Sequence, residues 1–351
     1  MRQVPRYDVI ATDYHTAGEP FRIVTSGVPD IPGATVADRR GYAMRDAEVD
    51  AVRRLLCHEP RGHADMYGCF LVPPDDSGAD LGALFWHNDG YSTACGHGTI
   101  ALGVWAVESG RVPADPDGDT VVTVDVPSGR VSAHVRCREG VVEMVTFRNV
   151  PSYPLARSVP VQTDGRLVEV DLAYGGAVYA SVPAQAFGLT VAAGSYGELI
   201  AAGRAVKRAL DGAEAARHPS DERLSGVYGT ILYDDLGDLP DGPHQRNVTV
   251  FADGEVDRSP CGSGTSARVA LLAADGRLDG GRVLRHDSVV GTTFIARVAA
   301  TVTVEGRAAV VSEVDGTAFR TGEHRFTLDP RDQLDTGFLL RCGTYPQNGT
   351  A

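Results

Sequence analysis

Apolar residues along this chain follow two periods. In 119–148 (DTVVTVDVPSGRVSAHVRCREGVVEMVTF) and again in 299–327 (AATVTVEGRAAVVSEVDGTAFRTGEHRFT) they alternate with polar ones between turn signals, which predicts β-hairpins or meanders in both stretches. Residues 7–13 (YDVIATD) and 21–28 (FRIVTSGV) predict two strands around a turn spanning 13–20 (DYHTAGEP), and EPRGHADMYGCFLVPP reads as a loop feeding a strand. Helical spacing marks 46–57, where Asp46 can cap and Val49, Val52, Leu55 and Leu56 form one apolar face. The composition of 193–211 is also helical, and the polar segment 212–224 reads as an exposed connection. Prolines interrupt the strand pattern over Pro151–Val161, which sets the expected boundary between a first half, 1–155, and a second, 156–331. The tail 332–345, through DTGFLLR at 335–341, can return as a strand to either half, and its return to the first is the expectation.

Two further helices carry the same opening. Tyr91-Ser-Thr-Ala-Cys-Gly-His-Gly-Thr-Ile-Ala101 and Asp257-Arg-Ser-Pro-Cys-Gly-Ser-Gly-Thr-Ser-Ala-Arg268 share the pattern C-G-x-G-T-x-A. Cys95, Gly96, Gly98, Thr99 and Ala101 match Cys261, Gly262, Gly264, Thr265 and Ala267, and Gly110-Arg111 and Gly276-Arg277 close the two helices at the same distance from the thiols. The offset is close to half of the 351 residues, which points to two similar halves rather than a short tandem array. Two equivalent helix starts related by a pseudo-two-fold can face one another across a cleft.

Composition narrows the function class. With 43% apolar and 23% charged residues the chain is an ordinary globular one, and a net charge of −13 without any Lys/Arg-rich run argues against nucleic acid or anionic membrane as partners. No signal-peptide core and no window near the roughly 20 apolar residues of a membrane span is present, so a cytoplasmic location is expected. Six scattered cysteines without C-x-x-C pairs make a disulfide framework or structural zinc site a poor reading. Of these, Cys57, Cys69, Cys137 and Cys342 lack glycine-rich surroundings and read as inert thiols.

Cys95 and Cys261 are different because each stands at a helix N-terminus, where backbone donors and the helix dipole favour an anion and are expected to lower a thiol's pKa. If a small carboxylate is held by the N–H groups of Gly96, His97, Gly262 and Ser263, the carbon beside it lies between two bases. One thiolate can then remove the α-proton while the opposite thiol supplies a proton to the other face, which is racemisation or epimerisation without metal or pyridoxal cofactor. Two other classes remain open on the residues alone: a redox thiol pair and a non-catalytic binder of an amino acid. His15 and His63 read as turn residues, and His97, in a C-x-H context, has no further ligand spaced for zinc.

The motifs DYHTAGEP (13–20), EPRGHADMYG (59–68), CGHGTIALG (95–103) and DRSPCGSGTSAR (257–268) resemble, in this order and over nearly the whole chain, those of the proline racemase family, which includes hydroxyproline epimerases and trans-3-hydroxyproline dehydratases. The resemblance implies an α/β (α+β) fold similar to diaminopimelate epimerase, with two pseudo-symmetric halves that each wrap strands around a central helix. It implies Cys95 and Cys261 as the catalytic pair, Gly96, His97, Gly98, Gly262 and Ser263 around the substrate, and Asp257 as a substrate-binding carboxylate that can accept from a protonated ring nitrogen. The implied partner is a proline-like amino acid, with no cofactor, no metal, and a homodimer left open. Cys261 favours an epimerase or racemase, since dedicated dehydratases typically carry threonine there. HNDGYSTACGH (87–97) and RGHADMYG (61–68) look more like the dehydratase branch, so trans-3-hydroxy-L-proline dehydratase stands as the alternative.

Overall fold

A computed structural model describes residues 7–340. The chain opens with the hairpin β1 (Asp8–Thr16) and β2 (Glu19–Ser26), followed by α1 (Val36–Ala43), α2 (Ala47–Cys57), β3 (Gly68–Val72), β4 (Leu81–His87) and β5 (Gly90–Tyr91). The first thiol motif starts α3 (Gly96–Glu108), and a meander follows: β6 (Asp119–Val126), β7 (Gly129–Arg138) and β8 (Val141–Arg148). Next come β9 (Tyr153–Thr163), β10 (Arg166–Tyr174), β11 (Val178–Pro183), α4 (Tyr196–Ala209), β12 (Val227–Leu239), β13 (Gly242–Phe251) and β14 (Glu255–Asp257). The second thiol motif starts α5 (Gly262–Ala274), which leads to β15 (Leu284–Ser288), β16 (Thr293–Val304), β17 (Arg307–Gly316) and β18 (Ala318–Thr327).

The 18 strands form one hydrogen-bonded network, and two helices run inside it. α3 packs against β1, β2, β6, β7, β8 and β18, whereas α5 packs against β9, β10, β11, β16 and β17. Both helices are buried over most of their length, α3 apolar on nearly every side and α5 with Ser263, Thr265, Ser266 and Arg268 among its buried residues, as expected of a helix enclosed by sheet rather than laid on its surface. This is the mixed α/β arrangement of two strand-wrapped helices that the resemblance implies. The enclosures are joined where β17 pairs antiparallel with β8, and β18 pairs along the whole of β1, so strands from both ends of the chain surround α3. Among the described residues no helix is long and apolar enough to cross a membrane.

Local chemistry explains most elements. Asp46 caps α2 by accepting from the amides of Glu48 and Val49, and Val49, Val52, Leu55 and Leu56 are buried as their spacing requires. Three readings need correction. The 13–20 motif is two strand ends rather than a turn: only Ala17 (φ 52°) and Gly18 (φ 98°) form the bend, in the left-handed pair that a tight hairpin needs. Its polar residues mimic a loop because they point at buried partners, as when Asp13 takes Arg22 at 2.7 Å. The proline-rich segment near 151–161 is also a strand, β9, whose only strand partner among the described residues is β10; an edge position tolerates Pro154 and Pro160 because no neighbour needs their missing N–H. Finally, the tail does not return as a strand within the described residues: Phe338 makes a single antiparallel bridge to Glu59, and 341–345, with Cys342, lie outside them.

Candidate active site

The two thiol motifs meet. A Cβ added at Gly96 would stand 2.6 Å from the Cα of Gly262, and one added at Gly262 would stand 2.7 Å from the Cα of Gly96. The helix starts therefore touch backbone to backbone, a contact that any side chain would prevent. The second glycine of each motif has a separate task. At Gly98 a Cβ would lie 2.7 Å from the Cys95 Sγ, and at Gly264 one would lie 2.9 Å from the Cys261 Sγ, so these glycines leave room for the sulfurs over the first helical turn.

Cys95 is the N-cap of α3: its Sγ accepts from the Gly98 amide at 3.2 Å and lies 3.5 Å from the His97 ring nitrogens. Cys261 precedes α5 in a left-handed conformation (φ 65°), rare for a side chain with a Cβ, and its amide donates to Ser259 Oγ at 3.0 Å. Its Sγ lies 3.8 Å from the Tyr179 hydroxyl, which bonds Ser263 Oγ at 2.7 Å. Both cysteines are 5% exposed. First-turn amides have no intrahelical acceptor, so two sets of N–H donors converge here.

Asp257 reaches the same place from the end of β14. Its Oδ1 accepts from the amide and hydroxyl of Ser259 at 2.8 and 2.6 Å, and its Oδ2 lies 3.6 Å from His97 Nδ1. Around this centre, the Tyr67 ring meets His97 edge-on with centroids 5.0 Å apart, and the Tyr67 and Tyr228 hydroxyls share a 3.2 Å bond. Thr16 holds the His97 carbonyl at 2.9 Å, and Glu19 accepts from the Arg258 amide at 2.7 Å. Contrary to the expectation from the helix ends, both thiols are pushed up rather than down. Burial first, and then the Asp257 charge, push Cys261 well above the ordinary thiol range; for Cys95 burial again dominates, partly offset by the Gly98 N–H. Burial likewise pushes the Glu19 carboxyl well up, with Asp257 adding to it.

The structure thus gathers Cys95, Gly96, His97, Gly98, Asp257, Gly262 and Ser263 into one buried locus. It adds Tyr67, Tyr179, Tyr228, Thr16, Glu19 and Ser259, which the sequence reading did not single out. Tyr67, Thr16 and Glu19 sit inside quoted motifs, and that was the available signal; Tyr179 and Tyr228 lie on β11 and β12, where nothing in the local sequence marks them. His63 and His15 accept from nearby amides, Asp65 at 3.3 Å and Gly18 at 3.2 Å, and so close their own turns. Among the described residues one group could hold a metal ion, His87, Asp89 and Glu255, with ligand atoms within 4.8 Å of one another; neither thiol is part of it, and His87 Nδ1 already lies 3.3 Å from Glu255 Oε1.

The proline racemase family model matches residues 11–339. The chain belongs to the proline racemase family. It is 43% identical over 328 residues to a trans-3-hydroxy-L-proline dehydratase of Bacillus cereus, covering 93% of this chain and 97% of that one. It is 44% identical over 332 residues to a 3-hydroxyproline 2-epimerase of Burkholderia multivorans, covering 94% and 97%. A crystal structure of a hydroxyproline epimerase from Agrobacterium vitis with bound trans-4-hydroxy-L-proline superimposes with a TM-score of 0.88 at 33% identity, over 95% of this chain and 96% of that one. Family relatives therefore include both isomerases and a dehydratase acting on hydroxyprolines.

Proposed function

We propose that this family member is a cofactor-independent epimerase or racemase of hydroxyproline or proline, in which Cys95 and Cys261 serve opposite faces of the α-carbon. The observation that carries this reading is the pairing of two buried thiols on helix starts whose glycine backbones touch. The substrate carboxylate is held by the first-turn amides of both helices, which also stabilise the charge that grows on it as the α-proton leaves. Its ring ammonium sits against Asp257.

Burial and the Asp257 charge keep the thiols protonated without substrate. An ammonium paired with Asp257 cancels the second contribution, so substrate binding favours the thiolate it needs. One thiolate takes the α-proton, the pair of electrons spreads into the carboxylate, and the opposite thiol delivers its proton to the other face. The Tyr179 hydroxyl, beside Cys261 and bonded to Ser263, can donate to the Cys261 sulfur when it is ionised.

The dehydratase reading is favoured by the Bacillus cereus relative. There one base removes the α-proton, the electron pair forms the Cα–Cβ double bond, and the 3-hydroxyl leaves as water after taking a proton. Incubation of the metal-free protein in heavy water with L-proline, trans-4-hydroxy-L-proline and trans-3-hydroxy-L-proline, followed by proton NMR, separates the outcomes. Loss of the α-proton signal with appearance of the epimer is expected; loss of water from the 3-hydroxy compound without any epimer assigns the dehydratase; no exchange on any of the three overturns both.

A further inference from the structure

Both thiols are buried, so a substrate must reach them through the protein surface, and the structure contains one cavity beside them with an unusual charge. Its volume is about 530 Å³, ample for a five-membered amino acid. Ser92, Thr93 and Tyr228 line it, and Ser92 and Thr93 run straight into Ala94 and Cys95. Tyr228 stands between cavity and thiols: its hydroxyl bonds Tyr67, and its ring packs edge-on against Tyr179, the neighbour of Cys261.

The cavity wall carries five cationic side chains against three carboxylates, on a chain whose net charge is −13. Some of these cations are committed. Arg204 pairs with Asp253 at 2.8 Å, Arg208 lies 3.6 Å from the same carboxylate, and Arg223 pairs with Asp221 at 2.8 Å. Arg223 also pairs with Asp38 at 3.2 Å, whereas no ion pair to a carboxylate is seen for Arg40 or Lys207 among the described residues. Arg40 is half-buried and spends Nε and Nη2 on the Tyr91 carbonyl, at 3.0 and 2.8 Å, which fixes the guanidinium on the wall. Burial pulls its pKa below the ordinary arginine value, a cost that a nearby anion relieves.

The geometry points to an outer carboxylate-binding site in this cavity, where Arg40 and Lys207 receive the amino acid's carboxylate before it passes Tyr228 to the helix-end amides between the thiols. The inference rests on the proposed α-proton chemistry for the identity of the ligand. Its cations act on arrival rather than on the reaction, so they raise the association rate and make it sensitive to salt. Asp211, on the same wall, opposes them.

Stopped-flow measurement of the intrinsic tyrosine fluorescence, with pyrrole-2-carboxylate as the probe, gives association and dissociation rate constants at low and high salt. K207Q is expected to slow association about threefold and R40Q about tenfold, with the salt dependence reduced in each, whereas D211N speeds association about twofold. R40K, which keeps the charge but not the fork, separates charge from the Tyr91 contact: it restores most of the association rate if the charge acts. Unchanged association and salt dependence in K207Q, R40Q and D211N overturns the outer site. A wild type that binds pyrrole-2-carboxylate with these properties but exchanges no α-proton leaves the outer site standing and removes the epimerase reading; a wild type that does not bind it removes the ligand class and the inference with it.

Discussion

Cys95 and Cys261 share a sequence context but not a set of partners. Cys95 is capped by the Gly98 amide and faces His97, while Cys261 sits in strained backbone beside the Tyr179 hydroxyl. If each serves one face, Cys95→Ser and Cys261→Ser should each lower net inversion by about 10²–10⁴-fold, the range for a lost general acid or base, yet still wash deuterium into one stereoisomer. Polarimetry and proton NMR on the same samples check this, and full inversion in either variant overturns the two-thiol mechanism. Tyr179→Phe removes a hydrogen bond to a charged sulfur, roughly 1.5–3 kcal/mol, so kcat should fall about 10–100-fold with KM nearly unchanged. The thiols and the adjoining Gly96-His97 and Gly262-Ser263 were legible because their motif is duplicated, and Asp257 through the family resemblance, but the direction of the thiol pKa was not. A helix end contributes at most about 2 kcal/mol, and complete burial beside a carboxylate outweighs it. The sign gives a pH test. Thiols held well above their ordinary value are mostly neutral at pH 7, so the reactive thiolate fraction, and with it kcat/KM, should climb steadily from pH 7 to 9; a flat profile there would mean that the working base is already ionised.

Among the elements, α3 and α5 depend on glycines for contact rather than for bending. Gly96 and Gly262 have no Cβ because each would lie inside the other helix's backbone, at 2.6 and 2.7 Å. Gly96→Ala should therefore force the helix starts apart, costing about 1–3 kcal/mol or more in thermal or denaturant unfolding and most of the exchange activity. Gly110→Ala, at the far end of α3, provides the contrast. A Cβ meets nothing within 4 Å there, but φ is +70°, so backbone strain alone should lower stability while α-proton exchange by the folded fraction is kept. The alternating patterns of β6–β8, β16 and β17 were readable because one face of each strand is buried or half-buried, whereas β18 is mostly exposed beyond Ala318. β9 was not, since prolines on an edge strand look the same in sequence as prolines in a linker. The strand ends in 13–20 were missed for the opposite reason: Asp13, Thr16 and Glu19 are polar residues turned inward to Arg22, the His97 carbonyl and the Arg258 amide, and periodicity records polarity but not its partners.

At the scale of the molecule, the duplicated motifs foretold two similar halves with equivalent helix starts, the family resemblance implied strands wrapped around each helix, and long-range pairing was beyond the reach of both. Nothing in 299–327 announces that β18 lies along β1, or that β17 joins β8 and makes the 18 strands continuous. The division at 155 remains our proposal, and the β17–β8 and β18–β1 pairings tie its two parts together. This architecture bears on ligand binding. A flat five-membered-ring carboxylate matches the planar α-carbon and extra carboxylate charge at the point of proton transfer, so it should bind at least as tightly as substrate. Because its carboxylate would be shared by amides from α3 and α5, it should stabilise both helix environments at once: at about 100 times Kd the gain is about 2.7 kcal/mol, visible as a single unfolding transition moved upward. In Gly96→Ala, where the two helix starts can no longer meet, the same compound should give little shift. Two separate transitions, with only one responding to the ligand, would show that the carboxylate is held by one helix start alone, and a shift of equal size in Gly96→Ala would show that the backbone contact does not build the site.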